Sequence, residues 1–101
     1  MARVLTVRRA RVPSAHAPEY QRTMATLAAR LEGRGQHLWL FRCRSDDDSW
    51  LEFSEGPDDA THRSAGPADA GEGALEAALL RLAEYQETDR EIWDEVRPLE
   101  M

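Results

Sequence analysis

Two short aromatic-rich runs constrain this chain more than any other feature. His37-Leu38-Trp39-Leu40-Phe41-Arg42-Cys43 and Trp50-Leu51-Glu52-Phe53 flank the polar break Ser45-Asp46-Asp47-Asp48-Ser49. Asp and Ser side chains satisfy turn backbone locally, so this pattern predicts a β-hairpin. The hairpin holds two of the three tryptophans and both phenylalanines, the largest apolar side chains available for burial. Whatever else the chain forms must pack against it.

The flanking segments supply the partners. Arg3 to Val12 reads as a strand carrying Val4, Leu5, Thr6, Val7 and Val12 among arginines, and Pro13 to Pro18 breaks it. From Pro18 to Glu32, Tyr20, Met24, Leu27, Ala28 and Leu31 fall at helical spacing. Pro18 suits a first turn, Glu19 favours the positive end of the helix dipole, and Gly33 and Gly35 offer a stop. Ser54 to Gly73 is rich in Gly, Pro, Ala, Asp and Ser and poor in large apolar residues. It is expected to be a flexible loop over 54–73, with one helical turn at Asp58 to His62. Leu75, Ala78, Leu79, Leu82 and Tyr85 or Gln86 mark a second helix over Ala74 to Glu87, and Ile92 to Leu99 reads as a last strand with Pro98 near its end.

Strand, helix, strand, strand, helix, strand is the split βαβ order of an α+β, ferredoxin-like βαββαβ fold. It implies a single domain over residues 1–101, a four-stranded antiparallel sheet and two helices on one face. The other face is left open. Alternation divides the strands into two sets. Leu5, Val7, Leu38, Leu40, Leu51, Phe53, Ile92 and Val96 are expected to face the helices. Thr6, Arg8, Trp39, Phe41, Trp50, Glu52, Trp93 and Glu95 are then expected on the open face. An aromatic patch of that kind marks an interface, and a homodimer through the open sheet face follows.

Val4-Leu5-Thr6-Val7-Arg8-Arg9, the Pro-Ser break before Glu19-Tyr20, and Trp50-Leu51-Glu52-Phe53-Ser54-Glu55 together resemble the dimeric α/β-barrel superfamily. The likeness is to domains similar to antibiotic-biosynthesis monooxygenases. The resemblance covers nearly the whole chain and implies two sheets packed face to face across a two-fold axis. Two functions follow as expectations. One is a small cytoplasmic homodimeric domain that binds a small ligand. The alternative is a cofactor-independent monooxygenase, or a haem-binding relative, acting on a planar aromatic substrate. Haem-degrading relatives use an Asn, a Trp and a His, and a chain without asparagine cannot carry that triad intact.

Candidate side chains divide between chemistry and structure. Arg8, His37, Trp39, Phe41, Trp50, Glu52 and Trp93 are the pocket or interface candidates. Arg8 and Glu52 read as a cross-strand ion pair, or as an anchor in which the guanidinium fork grips an anionic ligand. The tryptophans read as interface or core anchors, or as walls of an aromatic pocket. His16 and His62 read as solvated loop residues, whereas His37 opens an aromatic strand. Asp46-Asp47-Asp48 lacks the oxygen spacing and glycine of a calcium loop and reads as a solvated hairpin tip, so no metal is expected. Cys43, between Arg42 and Arg44, reads as a buried or edge-strand thiol, or as one whose pKa those arginines lower.

Composition excludes several classes. All 13 basic residues are arginine, so Schiff-base catalysis by lysine is impossible. A net charge of −6 argues against nucleic acid and anionic lipid as partners. No Walker loop, dinucleotide-binding glycine pattern or nucleophile-elbow serine occurs, and no cofactor is expected. A single cysteine and the lack of an apolar leader or spanning segment point to the cytoplasm, and the arginine-for-lysine usage to a GC-rich bacterium.

Overall fold

The computed structural model describes residues 3–57, 67–86 and 91–96. Its elements are β1 (Val4–Arg11), α1 (Ala17–Glu32), β2 (His37–Cys43), β3 (Asp46–Gly56), α2 (Ala70–Leu82), β4 (Glu84–Tyr85) and β5 (Glu91–Asp94). All pairings are antiparallel, in the order β2-β3-β1-β4, with β5 also on β1. The fourth place in the sheet is thus shared. β4 pairs with Ala10 and Arg11 at one end of β1, and β5 with Val4 to Val7 at the other.

α1 forms where its spacing demands. Tyr20, Met24, Leu27 and Leu31 are buried in one stripe, with Pro18 in the first turn, Glu19 beside it and Arg30 in the last. Gly35 then takes φ +77°, a left-handed step that only glycine makes without strain, and turns the chain into β2. The stripe packs with Leu79 of α2 and with Ala10, Val12, Trp50 and Ala83 to form the core.

Several boundaries differ from expectation. The hairpin turn is Arg44-Ser45, and the acids belong to β3, with a register shift between Arg42 and Cys43. β1 is long enough to template that extension: Arg11 pairs with Ser49, and the Val12 N–H donates to the Asp48 carbonyl at 2.8 Å. β3 also runs on to Gly56, so Ser54 lies in a strand rather than a loop. At the other end of the connection α2 begins four residues early. Asp69 caps it by accepting the Glu72 N–H at 2.8 Å, which places Gly71 and Gly73 inside the helix. The connection is therefore 57–69. The turn expected at Asp58 to His62 lies outside the described residues. The last strand, expected from Ile92 to Leu99, is β5 and ends at Asp94; Glu95 and Val96 lie outside it, and the stretch beyond Val96 is not among the described residues. α2 stops at Leu82, where Ala83 turns extended, so Tyr85 is a strand residue and not part of a helical stripe.

Face assignment divides by strand. β2 follows expectation, with Leu38 and Leu40 packed toward the core and Trp39 and Phe41 on the open side. On β5, Trp93 lies on the open side as expected, but Ile92 and Val96, expected against the helices, are exposed, because no helix covers that end of the sheet among the described residues. β1 and β3 are inverted. Thr6, Ala10, Trp50, Glu52 and Ser54 are buried beneath the helices, and Leu5, Val7, Leu51 and Phe53 line the open face. Trp50 goes inward because its neighbour across the ladder is Ala10, whose small side chain leaves room for an indole.

Candidate functional site

The inversion creates a polar network inside the helix-side layer. Glu52, in the middle of β3, is 1% exposed. Its Oε2 accepts the Tyr20 hydroxyl from α1 at 2.6 Å and the Tyr85 hydroxyl from β4 at 2.5 Å. Burying a carboxyl group is costly unless its lone pairs find donors, and the two phenols supply them. Tyr20 also packs edge-on to Trp50, with ring centroids 5.3 Å apart.

Arg8 sits beside this network. It is the register partner of Glu52 on β1, as expected, but on the helix side of the sheet. Its guanidinium carbon lies 3.7 Å from the centroid of the Tyr85 ring. Cation and ring attract, while the π face consumes none of the N–H donors. Arg8 opens into a cleft of about 530 Å³ between β1, β4, the end of α2 and the loop before α1. Arg11, Arg81 and His16 line it too, together with Asp48, Glu84 and the apolar Pro13, Leu80 and Leu82. The His16 Nδ1 lies 3.3 Å from the Leu82 carbonyl. A carbonyl only accepts, so Nδ1 carries the hydrogen and Nε2 is left as the ring's acceptor. Chemically, the cleft offers guanidinium donors for an oxyanion, one imidazole nitrogen able to take a proton, and a short apolar wall.

The remaining candidates lie on the other face. Leu5, Trp39, Phe41, Leu51 and Phe53 line an apolar hollow of about 460 Å³. His37 stacks on Trp39 at 5.8 Å, and Phe41 meets Phe53 edge-on at 5.3 Å. Trp93 joins them across β1, opposite Leu5. The structure thus separates the candidates into two groups. Arg8, Glu52 and Trp50 belong to the helix side, and His37, Trp39, Phe41 and Trp93 to the open side. Among the described residues no cluster of three or more His, Cys, Asp or Glu side chains could hold a metal ion.

Cys43 is exposed, and its thiol pKa is lowered. The main cause is the hydrogen bond with the Ser45 hydroxyl at 3.4 Å, not the flanking arginines. Sequence reasoning missed Tyr20 and Tyr85 as polar partners, and His16, Arg11 and Arg81 as cleft residues. One signal for the tyrosines was available. Glu52 lies between apolar neighbours in a strand, and an acid there needs donors that bury with it.

No protein-family model and no curated protein matches the chain. Solved structures do. The cofactor-independent oxygenase SnoaB from Streptomyces nogalater is 22% identical with a TM-score of 0.77, covering 98% of each chain. Its variant with one asparagine changed to alanine gives 23% and 0.78 over 96% of each. A Deinococcus radiodurans protein of the antibiotic-biosynthesis-monooxygenase type is 14% identical with a TM-score of 0.69, covering 97% of this chain and 95% of that one. At these identities the likeness is one of fold. The element order, the 2-3-1-4 sheet and the two helices on one face agree with it throughout. The chain has the ferredoxin-like fold of the antibiotic-biosynthesis-monooxygenase-type proteins.

Proposed function

We propose that the protein works as a homodimer joined through the open sheet face, and that each copy binds a small planar ligand in the cleft beside Arg8. The composition of that face carries the proposal. Leu5, Leu51 and Phe53 are half-buried in the single chain, and Trp39, Phe41 and Trp93 are 44%, 54% and 53% exposed. A second copy is the occupant this surface fits. A two-fold interface needs one self-complementary patch, and a flat apolar sheet offers it, with charged Arg9 and Glu55 on the same side. Such a dimer buries on the order of 1,600 Å² or more in total. The single free cysteine favours the cytoplasm, and the arginine-for-lysine usage a bacterial source. No helix among the described residues is long and apolar enough to cross a membrane.

Sedimentation equilibrium at micromolar concentration tests the dimer. The expected result is a dimer for the natural protein and a monomer for Phe41→Asp or Trp39→Ser, with tryptophan emission moving to the red. A natural protein that sediments as a monomer overturns the proposal.

A second reading is cofactor-independent monooxygenation of a planar aromatic substrate. The fold shared with SnoaB and the imidazole in the cleft favour it. In this reading His16 Nε2 takes a phenolic proton, and Arg8 holds the negative charge left on oxygen. Oxygen uptake across a panel of quinol-type substrates, compared with His16→Ala and Arg8→Gln, tests it. Uptake equal in the natural protein and both variants overturns it.

A further inference from the structure

We propose that the first turn of α2 is an electrostatic latch on the end of α1. Gly71 keeps it closed by giving Arg30 a seat, and its release lets solvent reach the buried side chains of Arg34 and Gln36. Local stability carries the first part. Two of the first four helical residues are glycine, which makes a weak start. Among Ala70 to Gly73 only Glu72 is buried, so almost no apolar surface holds this turn down, whereas Leu79 docks the far half of the helix in the core. What fixes the turn is charge. Arg34 grips Glu72 with a fork, its Nη1 2.6 Å from Oε2 and its Nη2 3.0 Å from Oε1. Arg30 donates from Nη2 to both Asp69 oxygens, at 3.0 and 3.2 Å.

Space carries the second part. A Cβ on Gly71 would lie 2.4 Å from the Arg30 Nη2 and 2.8 Å from its Cζ, whereas one on Gly73 would meet nothing within 4 Å. The guanidinium thus occupies the place of a side chain at 71, and an alanine there would push it off Asp69. Unsatisfied polar atoms carry the third part. Arg34 Nε and both Nε2 and Oε1 of Gln36 are buried without a hydrogen-bond partner among the described residues, and Gln36 is 0% exposed. Both side chains leave the turn that ends α1, where the Arg34 and Gln36 N–H groups share the Leu31 carbonyl at 2.9 and 3.0 Å. A buried polar atom without a partner costs free energy that contact with water relieves. The closed state carries that cost and the open one does not, which keeps opening within reach of local fluctuation.

Hydrogen exchange followed by NMR on the full chain tests the latch. The Glu72 N–H, bonded to Asp69 Oδ1 at 2.8 Å, reports the first turn, and the Ala83 N–H, bonded to the Leu79 carbonyl at 2.9 Å, reports the docked end. Raising salt from about 0.01 M to about 1 M shortens the screening length from roughly 30 Å to 3 Å. Exchange at Glu72 should quicken roughly two- to fivefold, with Ala83 unchanged. Gly73→Ala should slow exchange at Glu72 roughly fivefold, the usual gain of alanine over glycine in a helix. Gly71→Ala should give none of that gain in the natural protein and all of it in an Arg30→Ala background. The Gln36 carboxamide and the Arg34 Nε–H should exchange faster in step with Glu72 as salt rises. Exchange at Glu72 that ignores salt, or a salt effect equally large at Ala83, overturns the latch. Equal slowing by Gly71→Ala and Gly73→Ala removes the Arg30 seat. Exchange at Gln36 and Arg34 that ignores salt removes the solvent route.

Discussion

Glu52 is the residue on which interior and cleft meet. Its Oε2 takes two phenolic hydrogen bonds at one oxygen, from elements far apart in sequence, and so ties α1 and β4 to the centre of the sheet. Tyr20→Phe removes one donor without changing shape, and should destabilise the fold by about 1–2 kcal/mol in urea unfolding. Glu52→Leu strands two hydroxyls in an apolar layer and should cost more, about 2–4 kcal/mol, with no change in the slope of the transition. A Glu52→Leu variant as stable as the natural protein would mean that the two phenols are satisfied without it. At this scale the sequence spoke faintly. Arg8 and Glu52 were legible as neighbours on adjacent strands, and the register bears that out. Their side of the sheet was not legible, because the donors that make Glu52 tolerable inside come from Tyr20, 32 residues away, and from a two-residue strand.

At the scale of elements, α1 and the hairpin were plain from spacing and turn chemistry, and the second half was less so. Gly71 and Gly73 argued for a loop by propensity, yet Asp69-Ala70-Gly71-Glu72 has the spacing of a helix start. The cap prevails because tertiary ties support it: Arg30 in the last turn of α1 holds Asp69 at 3.0 Å, and Arg34 in the turn after it holds Glu72 at 2.6 Å. Asp69 has its pKa lowered, first by the Glu72 N–H and then by Arg30. A carboxyl group with a depressed native pKa adds stability in full above its ordinary, unfolded value. That contribution fades as pH falls from there through the native pKa. Asp69→Ala should therefore speed amide exchange at Glu72 and Gly73 near neutral pH, and the difference from the natural protein should vanish in strong acid. A difference that persists there would place the effect outside the cap's ionisation. β4 escaped prediction for a different reason, since two residues are too few to show any period.

Across the whole molecule, the sheet has something to bury on both sides. One side meets the helices, and the other presents Trp39, Phe41 and Trp93 at its surface. Hydrophobic alternation tells in from out only where one face is wet, so β1 and β3, with apolar residues at either parity, gave no usable signal. If two copies cover the open face, folding and association are linked. The thermal midpoint should then rise on a tenfold increase in protein concentration and stay fixed for Phe41→Asp. A midpoint independent of concentration in the natural protein would mean that the single chain carries all of its own stability. The same alternation binds two duties into one length of chain. Along β3, Glu52 serves the interior while Leu51 and Phe53 serve the outer surface. Along β1, Arg8 serves the cleft while Leu5 and Val7 serve that outer surface. Point changes at even and odd positions can therefore act separately on the interior and on the outer surface. Gaining or losing a single residue in either strand would exchange the duties at a stroke. Length, not identity, is what such a lineage must hold constant in these two strands.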